Sequence, residues 1–148
     1  MDAIILGSGP SLPDDMKQVP TGALLISVNG HAACHYTRCD VMAFLDMPEM
    51  QMYPDYPIEK YSPWHGHGKD KPQFDGSGVF AAWLGCQRAD RVFLCGFDLF
   101  ERGKPRYFYG GDIIKGVSLH KGLAAWKSGW QHLDKEIVVI SEALKRHF

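Results

Sequence analysis

No run of apolar residues in this chain approaches the ~20 that a bilayer crossing requires, so no membrane span is expected. The N-terminus lacks a basic segment ahead of an apolar stretch, so no secretory signal is expected either. Charge of one sign is also lacking: 16 Lys and Arg face 17 Asp and Glu, a net charge of -1. Without a global basic field, nucleic acid is not an expected partner. Cysteine is sparse. Cys34, Cys39, Cys86 and Cys95 show no C-x-x-C spacing, and Cys86 and Cys95 sit in apolar segments where a thiol acts as a small hydrophobe. Free thiols and a reducing, cytoplasmic compartment are the expectation. There is no internal repeat and no low-complexity tract.

What is present reads as one domain spanning residues 1–148. Hydrophobic residues make up 45% and charged residues 22% of 148, an ordinary globular composition. Five short apolar runs, at 2–6, 23–28, 40–45, 91–95 and 136–140, are expected to form strands. Helical spacing marks 77–88 and 119–133; shorter helices are expected at 13–18, 31–38 and 141–147. Strands that alternate with helices imply an α/β, Rossmann-like three-layer domain with a central, mainly parallel sheet of about five strands. Residues 47–76 break the rhythm with five prolines and no periodicity. A lid-like loop insertion is expected there.

In a parallel sheet, ligands bind beyond the carboxyl ends of the strands. Gly7, Ser8 and Gly9 follow the first strand, Asn29 the second, Asp46 the third and Asp98 the fourth. Ser77 and His120 open the two clear helices, whose N-termini point to the same rim. Glycines there would let the backbone approach an anion and offer it N–H groups. Plainer readings exist for each: a tight corner for the glycines, a helix cap for Ser77 or Asn29, a loop anchor for Asp98, a surface position for His120. The pattern is not G-x-G-x-x-G, because Pro10 and Leu12 follow the glycines. His65 and His67 with Asp70, and the group His31, Cys34, His35, Cys39 and Asp40, lack structural-zinc spacing. No metal site is expected.

The segments "IILGSGPSL", "SVNG", "DGSGVFAAWLGCQRADRVFLCGFDLF" and "SLHKG" occur in this order along the chain. In this they resemble the family 42 glycosyltransferases, bacterial sialyltransferases that use CMP-sialic acid. The chain is also similar to a wider group that includes archaeal-type 6-hydroxymethyl-dihydropterin diphosphokinases and phage and bacterial proteins. The resemblance implies a nucleotide-binding role for Gly7, Ser8, Gly9, Pro10, Ser11, Asn29, Ser77, Gly78 and Asp98. It implies that His120 is the general base and that Tyr107 assists the departing phosphate. Ser8 stands where the family has asparagine, and Phe100 where it has a leaving-group tyrosine.

The function expected on that resemblance is transfer from a nucleotide-activated sugar donor of the CMP-sialic acid type, without a cofactor. His120 would take the acceptor proton and Tyr107 would hydrogen-bond the developing phosphate charge. Two alternatives stay open: an ATP-dependent diphosphokinase that requires Mg²⁺, and a nucleotide-binding protein without catalysis. The expected partner is a nucleotide or nucleotide-sugar ligand. A homo-oligomer is allowed by the sequence but not specified by it.

Overall fold

Ala3, Ile4, Ile5 and Leu6 are all buried, as befits a strand covered on both faces. Side chains alternate across a strand, so Ala3 and Ile5 join one core cluster while Ile4 and Leu6 join another. This strand, β1 (Asp2–Leu6), is the centre of the molecule. The computed structural model describes residues 1–68, 72–115 and 119–148, with the side chains of 119–121 outside that description.

Six parallel strands form the main sheet: β1, β2 (Leu24–Val28), β3 (Val41–Ala43), β4 (Glu59–Tyr61), β5 (Arg91–Cys95) and β8 (Glu136–Val139). Their order is β4-β3-β2-β1-β5-β8, and every neighbouring pair is parallel. The chain therefore runs outward from β1 in one direction as far as β4, then crosses to the other side of β1 for β5 and β8. Beside β1 the strand order reverses. In open α/β sheets such a switch point opens a crevice at the carboxyl edge.

Helices α3 (Ser77–Arg88) and α4 (Leu119–Gly129) belong to one face. There Phe80, Leu84 and Trp126 pack with Ala3 and Ile5. The other face is covered by the short helices α1 (Leu12–Asp15) and α2 (His31–His35), through Leu12, Ala32 and Ala33. Helix α5 (Glu142–Lys145) closes the chain. A separate antiparallel hairpin, β6 (Pro105–Tyr107) with β7 (Gly110–Ile113), rises beyond β5. Among the described residues no helix is long and apolar enough to cross a membrane.

Two features depart from the sequence expectation. The sheet has six strands, because Glu59–Tyr61 adds an edge strand inside the segment expected to be a lid-like loop. Its residues Glu-Lys-Tyr carry no apolar run. They are held from outside by Arg88, which forms an ion pair with Glu59 and lies 5.5 Å over the Tyr61 ring. Tyr61 in turn stacks on His67 at 4.0 Å and packs toward Phe80. Phe74 also joins the core. The hairpin is the second departure, since "PRY" and "GGDI" have no apolar signature.

All four cysteines are free. Burial pushes Cys39 and Cys95 up to about 12, with the Asp40 and Asp15 charges respectively adding to it. Neither is a thiolate near neutral pH.

The two sides of the switch point are tied together by Asp15, a buried carboxylate. Its Oδ2 accepts hydrogen bonds from the Ser11 hydroxyl at 2.8 Å, the Gly96 N–H at 2.9 Å and the Ser141 hydroxyl at 2.8 Å. Ser141 in turn accepts the Phe97 N–H at 2.8 Å. Replacing Asp15 with alanine orphans two buried donors, the Gly96 N–H and the Ser141 hydroxyl, while the Ser11 hydroxyl keeps Asp98 as an acceptor. An unsatisfied buried polar group costs about 1–3 kcal/mol. Asp15→Ala should therefore lose about 2–4 kcal/mol of stability, read from urea denaturation midpoints at unchanged m-value.

Candidate functional site

A cavity of about 430 Å³ opens at the carboxyl edge of the sheet, within the size range of small-ligand sites. Gly7 to Pro10 after β1, Asn29 after β2, Asp46 after β3 and Gly96 to Glu101 after β5 line it. Asp75 to Val79, at the start of α3, form the facing wall with Trp126 of α4. Of the residues expected to form a site, Gly7, Ser8, Gly9, Pro10, Asn29, Ser77, Gly78 and Asp98 meet here. Ser11 stands just behind, bonded to Asp98.

The glycine turn does something other than cradle an anion. The Gly7 N–H donates to the Cys95 carbonyl at 2.8 Å, the Gly9 N–H to the Gly96 carbonyl at 2.8 Å, and the Ser11 N–H to Asp98 Oδ2 at 3.0 Å. Three donors of this loop are thus spent inside the protein, and Pro10 has none to give. A Cβ on Gly9 would overlap the Asp98 carboxylate and come within 2.8 Å of the Gly96 carbonyl. The glycines let the end of β1 lie against the end of β5. This corrects the expectation that they are there to offer N–H groups to a ligand.

Free donors come from α3 instead. Its N-cap is Gly76, with no side-chain cap. Ser77 is the first helical residue, not the cap, and its hydroxyl accepts the Leu45 N–H at 3.1 Å. That bond pins the end of β3 to the start of α3. The first N–H groups of this 12-residue helix point at the cavity with the positive end of the helix dipole. Gly78 admits the Phe97 ring, whose Cε1 would stand 2.9 Å from a Cβ there. Phe97 packs edge-on against Trp126 at 5.0 Å, forming the aromatic floor.

Asn29 lies in the left-handed region at φ 55, with its N–H donated to Ala43 and its carbonyl accepting the Ser27 hydroxyl. It does not cap α2, whose N-cap is Gly30. Its Oδ1 is buried without a hydrogen-bond partner among the described residues. The other non-glycine residues with positive φ, Leu99 at 56 and Phe100 at 54, also line the cavity. Such backbone outliers cost of order 1–3 kcal/mol each and gather at ligand sites. No sequence signal marks Leu99 or Phe100. Asparagine at a strand end is the only legible member of this group.

Acidic side chains dominate the rim: Asp46, Asp75, Asp98 and Glu101. Glu101 is engaged by Lys104 at 2.8 Å and Arg146 at 3.6 Å. Among the described lining residues Arg106 is the single cationic side chain, 5.7 Å over the Phe100 ring. Burial raises the Asp98 carboxyl above its ordinary value, and the nearby Asp15 charge adds to this. The Ser11 N–H and hydroxyl, with Lys104, oppose the shift.

Tyr107 does not line this cavity. Its neighbours Pro105 and Arg106 do, while Tyr107 turns to the other side of β6 and stacks on His31 at 4.5 Å and on Tyr109 at 5.1 Å. His31 Nδ1 is 2.7 Å from the Tyr109 hydroxyl, and His35 stacks on Tyr109 at 4.0 Å. Burial lowers His31 below the usual histidine range, and His35 reinforces this. These rings clamp the hairpin to α2. The side chain of His120 lies outside the described residues, as does Asp70. His65 bonds the Ser62 hydroxyl at 2.6 Å. Among the described residues no three His, Cys, Asp or Glu side chains converge as a metal site.

Of the segment 47–76, only Asp75 and Gly76 are among the described lining residues; the wall above the cavity is built by 99–114. No family model matches the chain, and neither a curated protein nor a solved structure matches it.

Two outcomes follow from this geometry. Gly9→Ala should lose about 1–3 kcal/mol of stability, the usual cost of overpacking, while Gly22→Asn, at an open position with φ 78, should be near neutral; equal effects in urea melts would remove the close-approach argument. The raised Asp98 means that the folded state binds more protons than the unfolded chain above the ordinary value of 3.8. This contribution is full below 3.8 and is lost as pH rises through the folded midpoint. Asp98→Asn lacks it, so the stability difference between wild type and variant should shift against wild type as pH climbs from about 4 to 7.

Proposed function

We propose that this chain binds a nucleotide in the cavity beside β1 and uses it as the leaving half of an activated sugar donor, of the CMP-sialic acid type. One observation carries the reading. The uncapped N-terminus of α3 faces Asn29 and the carboxylates of the strand ends across a single cavity at the switch point. A phosphate is matched by the helix N–H groups and Arg106, and sugar or base hydroxyl and amine donors by Asn29 Oδ1, Asp46 and Asp75. Phe97, Trp126 and Phe100 supply apolar surface for a ring.

This arrangement revises the roles that the resemblance implied. The phosphate belongs at α3 rather than on the Gly7–Ser11 loop, where the Gly7, Gly9 and Ser11 N–H groups are already engaged inside the protein. With Tyr107 turned away, Arg106 is the group that meets the charge of a departing phosphate. His120 as general base rests on the resemblance alone.

Calorimetric titration with CMP, CTP, ATP and cytidine, with and without Mg²⁺, tests the proposal. CMP should bind without Mg²⁺. Arg106→Ala should weaken CMP about tenfold, in line with about 1.5 kcal/mol for a hydrogen bond to a charged group, and leave cytidine unchanged. Equal loss for CMP and cytidine would place Arg106 elsewhere than on the phosphate, and no binding of any nucleotide would end the reading. A strict need for Mg²⁺ with ATP would favour diphosphoryl transfer instead.

A further inference from the structure

Ser11 has one hydroxyl proton and two carboxylate neighbours. Its Oγ is 2.8 Å from Asp15 Oδ2 and 2.9 Å from Asp98 Oδ2. One hydroxyl hydrogen can serve both short contacts only as a bifurcated bond, whereas a second proton in this chain of oxygens gives each contact its own hydrogen. Asp15 Oδ2 already accepts the Gly96 N–H and the Ser141 hydroxyl, and that donor set suits a carboxylate. Among the described residues, Asp98 Oδ2 has only Ser11 as a hydrogen-bond neighbour, through its N–H and Oγ, and Asp98 is 6% exposed.

We propose that Ser11 bridges Asp15 and Asp98 through a shared proton that sits on Asp98 in the ligand-free protein, so that the cavity meets a neutral carboxyl there. The order of donation is then Asp98 to Ser11 to Asp15, and each short contact holds one hydrogen. Around Asp98, burial and the Asp15 charge favour the proton, while the Ser11 N–H and Lys104 oppose it. From α1 comes the negative Asp15, and beyond β5 stand Lys104 and Glu101. Lys104 is drawn to Glu101 at 2.8 Å, and Arg146 of the last helical turn faces Glu101 as well. Two carboxylates that share a site cannot both ionise cheaply, and burial favours the neutral form of Asp98.

The consequence concerns ligand class and rests on the nucleotide reading above. A cavity rimmed by four carboxylates repels an anion. A proton stored on Asp98 removes one of those charges at the place where β1 and β5 meet. When Asp98 ionises, the Ser11 proton turns from Asp15 to Asp98 and the cavity gains a negative charge.

Carboxyl carbon NMR of the ligand-free protein, titrated with acid and base, tests the proton directly and needs no ligand. Asp98 should titrate above 3.8, and the Asp15 carboxyl resonance should move with it, as coupled sites do. Asp15→Asn keeps an oxygen acceptor for the three donors and removes the charge, so the Asp98 midpoint should fall toward the ordinary value. An Asp98 midpoint at or below 3.8 in wild type would overturn the proposal even if the variant failed to fold. So would an Asp15 resonance indifferent to the Asp98 titration. CMP affinity should fall as pH rises through the Asp98 midpoint, and Asp98→Asn should lack that step while keeping the change due to phosphate ionisation. A raised Asp98 midpoint with no CMP binding would sink the nucleotide reading alone; CMP binding with an ordinary Asp98 would sink the shared proton alone.

Discussion

The end of β1 and the end of β5 come within backbone hydrogen-bonding distance because neither Gly7 nor Gly9 carries a side chain. Much else hangs on that approach. Asp98 can reach back to Ser11 only because Gly9 leaves room for its carboxylate. Asp15 can gather Gly96 and Ser141 only because α1 starts directly over the same corner. These bonds join the first, central and last parts of the chain, and they do so at the place where the strand order reverses. The cavity is the space left in front of that knot.

Building a cavity around a buried carboxylate pair has a clear physical logic. The Gly7, Gly9, Ser11 and Gly96 N–H groups at the corner are all satisfied within it, so the crevice can exist without stranding these donors in the core. The donors left over, at the start of α3, are the ones that no side chain caps. Opposite them stands Asn29, with a left-handed backbone and a side-chain oxygen unpaired among the described residues. The wall above is the chain from Leu99 to Ile114, which leaves β5 through two left-handed residues and is held to α2 by stacked histidine and tyrosine rings. Rigid corner, open helix end and clamped hairpin are thus three separate devices that share one edge of the sheet.

The α/β class, the positions of β1, β2, β5 and β8, and the two long helices were legible because apolar runs and helical spacing are local properties. The rim residues were legible for a related reason: in a parallel sheet, position after a strand fixes position on the edge. Asn29 and Asp98 could be named from that alone, and Ser77 from its place at the start of a helix. β4 and the β6–β7 hairpin were not legible, since Glu-Lys-Tyr, Pro-Arg-Tyr and Gly-Gly-Asp-Ile are strands by virtue of their neighbours. The aperiodic, proline-rich stretch contains an edge strand and aromatic packing against Phe80 that its sequence does not signal.

What each residue at the rim does was a matter for the tertiary structure. Alternation and turn chemistry determined that Gly7 and Gly9 would end a strand, but the atoms they must avoid belong to residues almost ninety positions away. Whether a loop N–H is free for a ligand depends on whether a distant carbonyl has already taken it, as Cys95 and Gly96 have. Tyr107 and Arg106 are adjacent in sequence, and the pleat of β6 sends one into the cavity wall and the other onto His31. Local sequence determines which segments exist and where they end; hydrogen bonds and contacts between distant segments decide which groups remain available for chemistry.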